Sequence, residues 1–155
     1  MQGHIAENVK FSVLNVTASN AVDCDVVDTS KYNHGAFIII CNGATDTDLT
    51  LTLYECDNVG KSNTAAVTTA CPLYEDVWGT TSDTVAAVTA AYATVIDPAT
   101  EGNYFGIMEI DPSILSQGYP CVYLADSGGN ASDTTTILWV GDPKVKGQTL
   151  ESGVA

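Results

Sequence analysis

The chain contains no arginine and only five lysines, set against nineteen aspartates and glutamates, for a formal net charge of −14 over 155 residues. So acidic a surface repels phosphate backbones, which excludes nucleic-acid binding through a basic footprint. The same repulsion disfavours anionic membrane surfaces. Histidine is nearly missing, with only His4 and His34. A serine or cysteine nucleophile needs an oriented base; His34 is the one candidate, and it reads better as a structural or surface histidine. Nucleophile-elbow, Walker and metalloprotease motifs are absent. No apolar run approaches the ~20 residues of a membrane-crossing helix. The first eight residues, Met1 to Asn8, lack the basic flank and apolar core of a signal peptide, so the expectation is a soluble chain made in the cytosol. Cysteines stand at 24, 41, 56, 71 and 121, never in Cys-x-x-Cys spacing, which argues against a zinc ribbon or a redox motif. They read as reduced, mostly buried thiols, with Cys56 as the one most open to solvent.

What is present is β pattern. Gly35 to Cys56 organises the chain. Phe37 to Cys41 is apolar throughout and rich in isoleucine, as in a strand covered on both faces. Asn42 to Asp48 is a polar turn cluster. Leu49, Leu51 and Leu53 then alternate with Thr50, Thr52 and Tyr54, the period of a half-buried strand. The pair reads as the central hairpin of a sheet. Around it the spacing predicts strands over 9–16, 22–27, 64–70, 73–78, 104–110, 121–125 and 134–140. Residues 84–96 have mixed signals, read as strand rather than helix because the stretch Tyr92 to Ile96 is β-rich. Asp111 and Pro112 predict the start of a short helical turn ended by Gly118, and 126–133 reads as a hairpin loop. About nine short strands at this spacing predict an all-β domain, a single β-sandwich or jelly-roll-like body, over 9–140. An N-terminal arm (1–8) and a C-terminal tail (141–155) flank it. Lys10, Lys144 and Lys146 give those ends a slightly basic character.

Candidate chemistry is sparse. Asp23 with Asp25, Asp46 with Asp48, and Asp126 with Asp133 sit at turns or on a solvent face, where a Ca²⁺ loop is conceivable. The spacing from Asp126 to Asn130 does not match the EF-hand loop, and turn roles are the better reading of these acids. Glu75 with Glu109 is the one pair that a glycosidase reading would use. Asn15 and Asn130 match the glycosylation pattern without a secretion signal. Trp78, Trp139, Tyr54, Tyr74 and Tyr119 could line a sugar platform, with core packing the commoner fate of such residues. The sequence assigns no catalytic residue, no metal ligand and no cofactor.

From Tyr32 to about residue 140 the chain resembles a group of small virion structural proteins of tailed bacteriophages. The likeness is carried by Ala36 to Ile40 leading through Gly43 to Asp48 into Leu49 to Leu53, and by Met108 to Leu115 followed by the strand Tyr119 to Leu124. The resemblance implies a non-enzymatic capsid decoration (cement) protein on the virion surface. Its expected partners are the major capsid protein and other copies of itself, commonly as a homotrimer, with no nucleic acid, membrane or cofactor. The alternative role is a carbohydrate- or receptor-binding head fibre or minor tail protein.

Overall fold

A computed structural model describes residues 9–18, 22–42, 49–76, 85–91, 93–96, 103–126 and 134–144. They form twelve strands: β1 (Lys10–Ala18), β2 (Val22–Asp23), β3 (Val27–Asp28), β4 (Tyr32–Asn42), β5 (Leu49–Cys56), β6 (Thr64–Ala66), β7 (Cys71–Asp76), β8 (Ala86–Ala91), β9 (Ala93–Ile96), β10 (Asn103–Ile110), β11 (Cys121–Asp126) and β12 (Thr134–Pro143). Short 3-10 turns occupy Thr29–Lys31 and Pro112–Ile114. All pairing is antiparallel, in two sheets. The larger has the order β1-β12-β4-β10-β7-β8; the smaller has β2-β11-β5-β6, with β3 also on β11 and β9 also on β5.

The pairs nest. β1 meets β12, β2 and β3 meet β11, β4 meets β10, and β5 meets β9. The chain is thus a long folded ribbon wrapped so that successive pairs alternate between sheets, which is the jelly-roll order. β6, β7 and β8 are inserted at the ribbon's tip, and β7 and β8 extend the larger sheet beyond β10.

The inward faces make one core. β10 alternates without exception: Tyr104, Gly106, Met108 and Ile110 point in, and the residues between are half-exposed. β4 contributes Phe37, Ile39 and Cys41, β5 contributes Leu51 and Leu53, and β12 contributes Ile137 and Trp139. The Trp139 indole packs edge-on against Tyr32 and Phe37, with ring centroids 5.5 and 5.1 Å away. Asp111 caps the second 3-10 turn, its carboxylate accepting the Ser113 N–H at 2.9 Å, and Gly118 takes φ +91° beyond it, as the sequence predicts. Pro72 lies inside β7, where the register with β8 slips between Cys71 and Leu73; a bulge tolerates its missing donor.

Several sequence expectations are corrected. β4 and β5 are not a hairpin: they lie in different sheets, and 43–48, outside the described residues, connects them. A turn-rich stretch shows where a chain reverses, but not whether it stays in one sheet. The 126–133 stretch likewise joins strands of different sheets, β11 to β12. Within 84–96 the described residues form two strands, β8 and β9, which lie in different sheets. The 22–27 strand is two short pieces along β11, although Val22, Cys24 and Val26 are buried and Asp23 and Asp25 exposed, as the alternation implies. β12 runs three residues past 140. Ile38 and Ile40 are only half-covered, so β4 is not buried on both faces.

Candidate binding surfaces

Two surfaces carry side chains that the core does not use. The first is the outward face of the larger sheet. Strand register sets Val13, Leu138, Ile38, Ile107, Tyr74 and Ala87 side by side across all six strands. Every member of that row is uncharged and five are large or branched. Flanking rows add Phe11, Val140 and Ala36, ending at Glu109, and Thr136, Ile40 and Phe105, ending at Asp76. Exposure is greatest at β1, where Phe11 is 53% and Val13 61% accessible. β1 is the edge strand of the sheet, with a neighbour on one side only, and plain alternation sends Leu14 into the core while Phe11 and Val13 stay outside.

The second surface is an open groove of ≈ 550 Å³ on the outward face of the smaller sheet, lined by Thr50, Thr52 and Tyr54 of β5, Tyr123 and Ala125 of β11, and Asp23 and Lys61 at its rim. Tyr54 and Tyr123 are cross-strand neighbours with rings stacked at 5.3 Å and 16°. Lys61 Nζ lies 4.3 Å from the Tyr123 centroid, pairs with the Asp23 carboxylate and donates to the Cys24 carbonyl at 3.1 Å. Burial pushes the Tyr123 hydroxyl above its ordinary value.

The aromatic candidates separate accordingly. Tyr54 lies in the groove and Tyr74 on the apolar row. Tyr119 is half-buried beside a smaller cleft with Thr29 and Pro112. Trp139 is core, 1% accessible, and no platform. Trp78 lies outside the described residues, as do Asp46, Asp48, Asp133, Asn130, His4 and Lys146. Glu75 and Glu109 face opposite sides of the sheet: Glu75 shares the inner face with Leu73 and accepts the Tyr104 hydroxyl at 2.8 Å, while Glu109 looks outward with Ile107. They cannot flank one glycosidic bond. His34 is exposed on β4 opposite Asp142. Among the described residues, no three His, Cys, Asp or Glu side chains gather where they could hold a metal ion, and no helix is long and apolar enough to cross a membrane.

All five cysteines are reduced and buried, including Cys56 at 0% accessible. The expectation of a partly open Cys56 therefore fails. Cys121 and Thr64 stand opposite it on the two neighbouring strands, and the Asn58 backbone hydrogen-bonds its thiol. Sequence reasoning missed Tyr123 and Lys61. The alternation of Tyr123 with Val122 and Leu124 was legible, but its pairing with Tyr54 depends on a register that no local signal sets.

Comparison with protein-family models, with curated proteins and with solved structures finds no match.

Proposed function

We propose that the chain is a non-enzymatic virion structural protein, one that decorates and stabilises an assembled phage capsid by binding the major capsid protein and further copies of itself as a trimer. The observation that supports this reading is the apolar row across the larger sheet. An antiparallel sheet with one face on the core ordinarily presents polar residues on the other. Here that face presents Val13, Leu138, Ile38, Ile107 and Tyr74, and a contiguous apolar patch on a folded domain is the mark of an interaction site. The jelly-roll order adds only analogy: capsid and lectin domains use it, and so do unrelated functions.

The occupant we assign to the row is a second copy of the chain. The row carries no ionised side chain, so a neighbouring copy can cover it without burying an unpaired charge, and in a trimer each copy repeats the same head-to-tail contact. The charge of −14 opposes the approach of copies. Self-association should therefore strengthen with salt, as the Debye length falls to ~10 Å at 0.1 M. Binding only to the assembled shell would then shift the equilibrium toward that shell.

The test is sedimentation velocity at low and high salt, with capsid co-sedimentation, on the wild type and Val13→Asp. Val13 is exposed, so the variant keeps its fold. The expected result is salt-strengthened association and shell binding for the wild type, both lost in the variant. A wild type monomeric at every salt concentration, or a variant that binds shells fully, would refute the proposal.

The Tyr54–Tyr123 groove favours a second reading, a carbohydrate- or receptor-binding domain on the virion surface. The half-exposed Tyr54 ring, backed by the buried Tyr123, offers an apolar plane beside the Thr50 and Thr52 hydroxyls, as sugar rings require. A glycan array probed with the wild type and Tyr54→Ala separates the two readings.

A further inference from the structure

Cys56 is the last residue of β5 and Cys121 the first of β11, and the two are direct partners in the antiparallel register. As direct partners they point to the same face of the sheet, and each thiol perturbs the titration of the other. Directly opposed residues in such a ladder have Cα atoms ~4.5–5.5 Å apart, inside the ~4.4–6.8 Å window of a disulfide. The other cysteines have different neighbours. Cys41 stands opposite Tyr104 and Thr135, Cys71 opposite Ala91, and the Cys24 sulfur accepts the Leu124 N–H at 3.1 Å.

We infer that Cys56 and Cys121 are an oxidation site: a latent cross-strand disulfide that peroxide or a glutathione-type disulfide closes without moving the backbone. With hydrogen peroxide, the Cys56 sulfur attacks one oxygen and the O–O bond breaks, leaving a sulfenic acid and one water. The Cys121 sulfur then attacks the Cys56 sulfur and expels a second water, so two thiols and one peroxide give one disulfide and two waters. Cys56 is the residue suited to attack first. Burial and Asp57 raise its thiol, but Lys61 and the Asn58 backbone oppose the rise, whereas Cys121 is pushed up to about 12 by burial together with Asp28, Cys56 and Asp57, with nothing opposing.

Access comes from position. Both residues end their strands, next to the exposed turn at 58–60 and to Pro120, where local opening costs least. Because thiolates are the reactive form, oxidation is slow near neutrality and accelerates as pH rises. Once formed, the bond closes a covalent ring running from β5 through β10 to β11, clamping one end of the smaller sheet. It uses neither the apolar row nor the groove, so it stands or falls separately from the proposed function.

The test treats the reduced full-length protein with hydrogen peroxide, and in parallel equilibrates it in an oxidising glutathione buffer, near neutral pH and at about pH 9. Remaining thiols are then alkylated in denaturant and the peptides mapped by mass. The expected product has lost two hydrogens, links Cys56 to Cys121 within one chain, and carries alkylated Cys24, Cys41 and Cys71. Its melting temperature rises and returns to the starting value with reductant. Cys121→Ser should instead leave Cys56 as a sulfenic or more oxidised acid, or as a glutathione adduct. Five alkylated thiols under every condition, or a link through any other cysteine, would overturn the inference.

Discussion

The indole of Trp139 fills the space that the missing side chain of Gly35 leaves: a Cβ on Gly35 would lie 2.1 Å from Trp139 Cζ2. Gly35 and Gly141 face each other in the β4–β12 register, and a Cβ on Gly141 would meet Tyr32 at 2.4 Å and the indole nitrogen at 2.6 Å. Two opposed glycines thus form a slot for the largest core side chain. The same device recurs on β10, where Gly106 leaves room for Tyr104 to lie along the strand and reach Glu75.

Gly35→Ala should therefore be severely destabilising. The three nearest atoms all belong to one rigid buried ring, so relief requires moving Trp139 against Tyr32 and Phe37. Overpacking of this kind costs ~1–3 kcal/mol or more. Urea unfolding should show a lower midpoint, and tryptophan emission should shift in the native baseline. An unchanged midpoint would mean that the indole has room to move.

Alkaline pH should weaken the fold through its thiols. Burial raises Cys24 and Cys121 to about 12 and Cys71 to about 11, from an ordinary value of 9.0. Below 9.0 both folded and unfolded chains hold these protons, and the stabilising contribution is complete. Above it the unfolded chain ionises while the folded chain does not, so stability falls as pH rises toward 11 and 12. The slope is at most ~1.4 kcal/mol per pH unit for each thiol. Urea midpoints measured under reducing conditions at about pH 8 and about pH 10 should show the decline, and Cys71→Ala should flatten it. A steeper decline in Cys71→Ala would contradict this account.

Lys61 should matter more than its ion pair. Its ammonium serves the Asp23 carboxylate, the Cys24 carbonyl and the Tyr123 ring together, from a residue held at φ +55°. Asp23 is largely exposed, so the ion pair alone contributes little, while the ring contact adds ~0.5–1 kcal/mol. Lys61→Met should lower stability by about 1 kcal/mol, and Asp23→Asn by clearly less. Equal losses would assign the effect to the ion pair.

Local order was legible in the residues, and long-range order was not. The alternation over Tyr104–Ile110, the Asp111 cap and the buried series Val22, Cys24, Val26 could each be read directly, because each depends on neighbours two or three positions away. Sheet membership depends on which strands meet, and Asn42 to Asp48 looks the same in a hairpin as in a crossing between sheets. Ile38 and Ile40 carried a real signal that pointed to the wrong cause: their apolar side chains lie on a half-open outer face rather than beneath a second layer. Core packing was the better reading of Trp139 and it holds; what was hidden is the slot that takes the indole, because Gly35 meets Gly141 only through the register of β4 with β12. The groove and the cysteine pair stayed hidden for the same reason, since Tyr54 meets Tyr123, and Cys56 meets Cys121, only through the register of β5 with β11.

The nested pairing also governs when the apolar row can exist. Its members come from strands far apart in the sequence, Val13 from β1 and Leu138 from β12, with Ile38 of β4 beside them. During synthesis β1 and β4 must wait for β12, the last of the described strands, because β12 lies between them. Such non-local closure is slow compared with helix or hairpin formation. A chain that stops before β12 therefore never presents the assembled row, and the surface proposed for assembly becomes available only once β12 has been made and paired.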